Sequence, residues 1–226
     1  MAKTDKPVAL IVGVGPGLGG ALARRFTGEG MAVALAARQG DKLASLAKET
    51  GGRAYGCDAT VETAVGDLFA AVVRDLGRPQ LVVFNAGGYA RKPVTELSVG
   101  EVETCWRNCC LGGFLVGRAA ARAMLPAGSG TILLTGATAA LRGSAQFAAF
   151  AMGKFGLRAL AQSMARELGP QGIHVAHIVI DGGIGESVEG TRLAPGAIAE
   201  AYWQLHRRTK SAWTQELDLR PWAEKF

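Results

Sequence analysis

The chain of 226 residues is long enough for one α/β domain with a sizeable core, and its length does not require a second domain. Hydrophobic residues make up 49% of the chain and charged residues 19%, which excludes a disordered or fibrous protein. The net charge of +6 favours anionic ligands, but the sequence lacks the broad basic face or known motif of a nucleic-acid-binding protein.

The cysteines and the apolar runs indicate the compartment. The four cysteines lack a second group of ligands at metal-binding spacing, so we expect no metal site. The segment Met1–Pro7 is short and polar, unlike a secretory signal, and later apolar runs are broken by Gly, Arg or Pro before they reach membrane-spanning length. We therefore expect a cytoplasmic protein with reduced thiols and no nucleic-acid or membrane partner.

Short apolar segments alternate with segments of helical periodicity along the chain. The predicted strands are Val8–Gly13, Ala32–Ala37, Arg53–Cys57, Leu81–Asn85, Thr131–Thr135 and Ile173–Ile180. The predicted helices are Gly19–Gly30, Asp41–Thr50 with Asp41 as its N-cap, Val61–Leu76, a long helix in Gly100–Leu125, Phe147–Leu168 and Ala197–Arg207. Apolar strands that alternate with helices are typical of a parallel sheet covered on both faces. We therefore predict one α/β domain over residues 1–226, a Rossmann-type doubly wound parallel sheet in three α/β/α layers.

Both ends of the chain are predicted to lie outside this sheet. Residues 1–7 form a flexible tail, and residues 182–226 form a candidate substrate loop followed by a C-terminal helix and tail. Three of the four tryptophans, Trp203, Trp213 and Trp222, lie in this last segment. Because large aromatic side chains usually pack against something, the segment either docks on its own domain, contacts another subunit or caps the site.

The first predicted strand runs directly into a glycine-rich turn that precedes a helix. Gly15, Gly17 and Gly20 fit the general GxGxxG spacing. Glycines allow positive φ and let the backbone approach a pyrophosphate closely, and the following helix offers free N–H groups to that anion. The turn therefore predicts a dinucleotide-binding site.

Arg38 indicates which dinucleotide is bound. It ends the second predicted strand, where a site specific for NAD usually carries an acid for the ribose hydroxyls. The only acid nearby, Asp41, comes too late in the sequence. Since a cation suits a 2′-phosphate, NADP is favoured over NAD, with a surface role for Arg38 as the alternative.

These segments, in this order, resemble the short-chain dehydrogenase/reductase family over roughly residues 7–185. Gly13, Gly17 and Gly19 have that family's GxxxGxG spacing, Cys57-Asp58-Ala59 matches its adenine-binding turn, and Asn85-Ala86-Gly87 matches its NAG motif. The resemblance implies that Asp58 reaches the adenine amino group and that the NAG motif stabilises the sheet beside the cofactor. The cofactor-binding residues that it implies are Gly13, Gly15, Gly17, Leu18, Gly19, Arg38, Asp58, Ala59, Asn85, Ala86, Gly87, Lys154 and Ile184.

The family's catalytic pattern is incomplete in this chain. Members typically have Tyr-x-x-x-Lys, a serine 13 positions before the tyrosine and an asparagine on the preceding long helix. Lys154 is present, but Phe150, Ala137 and Cys109 occupy the tyrosine, serine and asparagine positions. Phenylalanine has no ionisable proton, and a tyrosine seven positions before the lysine is also absent. Asn108, one residue before the aligned position, points elsewhere unless the helix carries a local bulge.

Three other side chains are candidates for the missing proton donor. Lys154 is expected to bind the nicotinamide ribose, and it becomes a proton donor if burial lowers its pKa. Cys109 as a thiol acid and Tyr89 as a hydroxyl donor are further alternatives, although a free cysteine is commonly a small core residue. Gly183 and Ile184 occupy the place of a family Pro-Gly segment whose backbone meets the nicotinamide amide.

Two functions remain open from the sequence. The first is an NADP(H)-dependent short-chain dehydrogenase/reductase with an incomplete tetrad, acting on a substrate that no residue identifies. The second is a dinucleotide-binding protein without turnover, such as a redox sensor or a binding subunit. The family's habit of assembling through helices, together with the Ala- and Gly-rich Phe147–Leu168 helix, implies a homodimer or homotetramer.

Overall fold

The computed structural model describes residues 5–186 and 189–223. Residues 1–4 of the predicted N-terminal tail, two residues of the predicted substrate loop and the last three residues lie outside the described part. The strands are β1 Val8–Val12, β2 Ala32–Ala37, β3 Arg53–Gly56, β4 Pro79–Phe84, β5 Gly130–Thr135, β6 Ile173–Ile180, β7 Gly183–Ile184, β8 Arg192–Leu193 and β9 Glu216–Leu219. The α-helices are α1 Leu18–Gly28, α2 Ala44–Thr50, α3 Glu62–Asp75, α4 Val99–Trp106, α5 Gly112–Met124, α6 Ala148–Leu168 and α7 Pro195–Arg207.

Seven strands form one parallel sheet in the order β3-β2-β1-β4-β5-β6-β9. The order reverses direction between β1 and β4, which is the switch point of a doubly wound fold. The predicted Rossmann-type sheet is confirmed. The central strands β1, β4, β5 and β6 are almost entirely buried because helices cover both of their faces.

Two apolar cores lie on opposite faces of the sheet. One core packs α3, α5 and α6 against the strands through Val72, Val116 and Leu157. The other packs α1 and α7 through Phe26 and Tyr202, both of which are fully buried. The helices therefore form the outer layers of the predicted α/β/α arrangement.

Two predicted helices differ from the observed ones. The segment Asp41–Thr50 begins with a 3₁₀ turn over Gly40–Leu43, and Asp41 does not cap α2, which has no side-chain cap hydrogen bond. The long helix in Gly100–Leu125 is interrupted by a π-helical turn over Arg107–Leu111. α4 itself begins with a capping box, in which Ser98 Oγ accepts from the backbone N–H of Glu101.

The C-terminal segment packs on its own domain. β9 pairs in parallel with β6, with His177 opposite Glu216 and Ile180 opposite Leu219. Trp203 is buried against Phe26, with ring centroids 6.4 Å apart, and Trp213 stacks on His174 at 4.9 Å. Trp222 remains 86% exposed. The sequence predicted a tail where the chain forms the seventh strand of the sheet.

No helix in the described ranges is long and apolar enough to cross a membrane. Residues 5–186 and 189–223 also contain no cluster of three or more His, Cys, Asp and Glu side chains that could hold a metal ion.

Candidate active site

Two adjoining cavities open at the carboxyl ends of the central strands, where doubly wound sheets bind their ligands. The larger has a volume of about 980 Å³ and extends from the glycine turn to the ends of β2 and β3. The smaller, about 800 Å³, lies over the ends of β4, β5 and β6. Both are lined by Asn85 and Gly87, so together they form one cleft.

The glycines of the turn have two separate roles. Gly13 has a φ of +94°, and a Cβ there would lie 2.2 Å from the backbone nitrogen of Ala86. A Cβ on Gly19 would lie 2.8 Å from the Cα of Val14. A Cβ on Gly15 or Gly17, in contrast, would meet no atom within 4 Å. Gly13 and Gly19 therefore permit close packing of the backbone, while Gly15 and Gly17 leave the backbone open to a ligand.

Asn85 fixes the turn to the central sheet. Its side-chain amide donates to the carbonyl oxygen of Gly13 at 3.0 Å, and its backbone N–H donates to Val12 at 2.7 Å. Ala86, the next residue, is the one that approaches Gly13. These contacts fix the start of the glycine turn against the end of β4.

The far end of the larger cavity is cationic. Arg38 and Lys42 line it together with Asp58. Hydrogen bonds from the backbone N–H and hydroxyl of Thr60, at 2.9 and 2.8 Å, lower the pKa of Asp58, and the nearby charge of Arg38 lowers it further. Asp58 is therefore an ionised acceptor. Ala59 follows it in the turn and is buried.

Lys42 was not identified from the sequence, although it follows Arg38 by only four residues. Arg24 also lines this cavity, but its guanidinium pairs with Glu49 at 2.5 and 3.0 Å. Arg38 and Lys42 are therefore the cations most available to an anionic ligand at this end.

Lys154 lines the smaller cavity close to Gly87, which the two cavities share. Its side chain is buried, and Nζ donates to the carbonyl oxygen of Thr135 at 2.8 Å. Burial lowers the pKa of Lys154 because the protein interior disfavours the charged form. A Cβ on Gly87 would lie 3.7 Å from Nζ and 3.9 Å from the sulfur of Cys109, so the two groups flank Gly87.

The π-helical turn brings both Asn108 and Cys109 toward the cleft. Cys109 is fully buried, and its sulfur accepts from the backbone N–H of Gly88 at 3.2 Å. Asn108 lines the larger cavity, and its amide donates to the carbonyl oxygen of Thr104 at 2.8 Å. The helix thus carries the local bulge on which the orientation of Asn108 depended.

The smaller cavity has an aromatic wall and no hydroxyl at the expected places. The Tyr89 ring packs edge-on against Phe147 and Phe150, with centroids 5.8 and 5.5 Å away. The Phe150 centroid lies 5.8 Å from Nζ of Lys154. Ala137 lines the cavity without a polar group, and Ile184, in β7, closes another side.

Thr138, next to Ala137, has its hydroxyl engaged by Asp181. The hydroxyl donates to Oδ1 of this buried carboxylate at 2.6 Å, while Arg220, from the end of β9, donates to Oδ2 through Nε at 2.9 Å. Burial raises the pKa of Asp181, but the hydrogen bonds from Thr138 and Arg220 outweigh it and hold that pKa below its usual range. Asp181, Arg220 and Arg142 were missed because their proximity depends on the pairing of β6 with β5 and with β9.

The combination of an open glycine turn, an Asn-Ala-Gly segment packed on it and a buried lysine on α6 agrees with the result of a family comparison. A family model described as short chain dehydrogenase matches residues 7–188, most of the chain. The chain belongs to the short-chain dehydrogenase family.

Individual relatives of this short-chain dehydrogenase cover most of its length. The D-threitol dehydrogenase of Mycolicibacterium smegmatis is 29% identical over 178 residues, which are 76% of this chain and 68% of the relative. The crystal structure of a short-chain dehydrogenase from Rhodopseudomonas palustris has 42% identity and a TM-score of 0.87, covering 96% of this chain and 99% of that chain. An alcohol dehydrogenase from the archaeon Thermococcus sibiricus, complexed with 5-hydroxy-NADP, has 27% identity and a TM-score of 0.87, covering 97% and 98% of the two chains.

Proposed function

We propose that the protein is an NADP(H)-dependent short-chain dehydrogenase/reductase whose catalytic tetrad is incomplete. The observation that carries this proposal is the continuous cleft formed by the two cavities. The larger cavity contains the open glycine turn and the cations Arg38 and Lys42, and the smaller one is lined by the buried Lys154. The similar alcohol dehydrogenase from Thermococcus sibiricus, which is complexed with 5-hydroxy-NADP, supports NADP as the ligand. The dinucleotide supplies the hydride when it is bound.

Different residues of the cleft bind different parts of the dinucleotide. The open backbone at Gly15, Gly17 and Leu18 receives the pyrophosphate at the N-terminus of α1. Arg38 and Lys42 bind the 2′-phosphate, and Asp58 accepts a hydrogen bond from the adenine. Lys154 reaches the nicotinamide ribose with the N–H groups that Thr135 does not use. Ile184 meets the nicotinamide end.

A reduced substrate oxygen needs a proton, and the side chains at the family positions do not supply one. Phe150 and Ala137 lack a donor, and Thr138 already donates to Asp181. Lys154 is the remaining family group, and its lowered pKa suits proton transfer. We assign that role to Lys154.

The first test is a fluorescence titration with NADPH and, separately, with NADH. We expect NADPH to bind at least about tenfold more tightly, since the 2′-phosphate gains charge-assisted hydrogen bonds. Arg38→Ala should remove most of this preference. Arg122→Ala, which removes an exposed cation at the end of α5, is the matched control. Absence of binding for both dinucleotides would overturn the proposal.

A second candidate function is dinucleotide binding without turnover, and the phenylalanine at position 150 favours it. Turnover by the wild type separates the two functions, and the variant Phe150→Tyr tests whether a tyrosine is all that is missing, with Phe147→Tyr as a control on the same aromatic wall. If only the tyrosine is missing, Phe150→Tyr gains carbonyl reduction over a panel of aldehydes and ketones, and Phe147→Tyr does not. No reduction by the wild type or by either variant, with NADPH bound, supports the binding function.

We also propose a homodimer or homotetramer in the cytoplasm. Trp106, Phe114, Met152 and Phe155 are large apolar side chains exposed on α4, α5 and α6. A group of exposed apolar residues on packed helices is typical of a subunit interface. Gly156, on the same helix as Met152 and Phe155, lets α6 pack closely on the π-helical turn of its own chain, because a Cβ there would lie 2.7 Å from the sulfur of Cys110.

A further inference from the structure

Arg142 stands out among the residues that line the smaller cavity. Its side chain is 47% exposed, and its only ionic partner within the described residues is Asp181, at 3.5 Å. At that distance the contact is an ion pair and not a good hydrogen bond. Arg142 therefore lines the cavity with guanidinium donors that no hydrogen bond within the described residues uses.

Both oxygens of Asp181 already accept shorter hydrogen bonds from other residues than the contact with Arg142. Oδ1 accepts from the hydroxyl of Thr138 at 2.6 Å, and Oδ2 accepts from two nitrogens of Arg220. The carboxylate is almost fully buried. It attracts Arg142 at 3.5 Å and forms its shorter ion pair with Arg220.

The lining of the cavity combines basic and aromatic side chains. Its charged lining residues are Arg142 and Lys154, and none of the described residues that line it is acidic. The same cavity is lined by the aromatic wall of Tyr89, Phe147 and Phe150, and Nζ of Lys154 lies over the Phe150 ring. A cavity with cations and aromatic rings suits a ligand with an anionic group joined to a flat apolar body.

We propose that Arg142 determines substrate specificity by binding an oxyanion, a carboxylate or a phosphoryl group, on an aromatic or apolar substrate. The planar guanidinium pairs with two oxygens of such a group at once. This inference rests on the proposed function for the identity of the cavity as a substrate pocket. The anion lies apart from the 2′-phosphate site, which Arg38 and Lys42 form in the larger cavity.

The test uses benzoate, phenyl phosphate and the neutral benzamide as probes of the full-length protein. Binding of each is measured by calorimetry, with and without saturating NADPH. We expect benzoate or phenyl phosphate to bind at least about tenfold more tightly than benzamide, and Arg142→Gln to abolish that difference. Arg142→Lys should retain part of it, because the charge remains while the paired donors are lost.

Arg91→Gln is the matched control, since Arg91 stacks on the outer side of the same wall, 5.6 Å from the Phe147 centroid, but does not line the cavity. It should leave the preference for the anion unchanged. Equal binding of benzamide and both anions, or a preference that survives Arg142→Gln, would overturn the inference. If NADPH binds but no preference for the anions depends on Arg142, this inference is refuted and the proposed function is not. If the Arg142-dependent preference is found but NADPH does not bind, the inference is supported and the proposed cofactor is refuted.

Discussion

Lys154 combines two properties that normally oppose each other. It is a cation-forming group, yet it is buried and makes one hydrogen bond, to a neutral carbonyl oxygen. The cost of burying a charge falls when the group becomes neutral, which is why its pKa is lowered. A lysine in this state exchanges a proton at lower pH than an exposed lysine does.

The pH dependence of Lys154 gives a prediction. If protonated Lys154 donates the proton, turnover falls as the pH rises through its lowered pKa, below the range of an exposed lysine. Lys154→Arg keeps the charge at every pH but does not release a proton, so it should retain NADPH binding to within about tenfold and lose turnover. The measurement is kcat against pH, with NADPH affinity as a separate readout.

Lys154→Met is the companion variant, since it removes both the charge and the hydrogen bond to Thr135. It should weaken NADPH binding as well as turnover. Equal turnover in the wild type and Lys154→Arg would show that another group donates the proton.

At the level of elements, β9 joins the sheet through side chains as well as strand pairing. Arg220, directly after β9, forms an ion pair with Asp181, directly after β6. Within the strand, Glu216 accepts from Arg158 on α6 through both oxygens, at 2.7 Å each. The C-terminal strand is thereby connected to the wall of the smaller cavity.

Arg220→Ala should destabilise the fold by about 2–4 kcal/mol, because it leaves a buried carboxylate without its main partner. Asp218→Ala is the control: its carboxylate is 45% exposed and lies 3.6 Å from Arg220, so we expect a loss below about 1 kcal/mol. Urea unfolding at neutral pH measures both. Equal losses for the two variants would contradict a special role of the Asp181 pair.

The same pair predicts a pH dependence. Because the folded pKa of Asp181 lies below its unfolded value, its contribution is complete above the ordinary aspartate range and is lost as the pH falls through the folded pKa. The difference in unfolding free energy between wild type and Arg220→Ala should therefore shrink in acid. A difference that stays constant down to strongly acid pH would assign the effect to packing.

The local pattern predicted the six strands from β1 to β6. Five of them are largely apolar runs, while β3, Arg-Ala-Tyr-Gly, was predicted from its place between two helical segments. The pattern did not predict β9, whose four residues alternate Glu-Leu-Asp-Leu and pair with a strand nearly 40 residues earlier. Alternation of this kind indicates a short strand with one apolar side, and Leu217 and Leu219 were the available signal. The positions of the glycine turn and of Lys154 could be predicted because the spacing of residues within each motif fixes them. Those of Arg142 and Asp181 could not, since strand register sets their separation.

At the scale of the whole molecule, the exposed apolar side chains of α4 to α6 predict how copies associate. Phe155→Glu places a charge among the exposed Trp106, Phe114 and Met152 and should convert the oligomer to monomers. Val61→Glu makes the same change at an exposed valine before α3 and should leave assembly intact. Sedimentation velocity over a range of concentrations measures both. A monomeric wild type, or an unaffected Phe155→Glu, would overturn the proposed interface.

β9 also occupies an outer edge of the sheet, where backbone groups are available to a strand from another molecule. It is only four residues long, and two of those residues, Glu216 and Asp218, are acidic. Short length and charge are the features by which natural sheets avoid edge-to-edge aggregation. A longer, apolar strand at this edge would also pair with strands of other chains. The short length and the two acidic residues of β9 therefore protect the molecule from polymerisation.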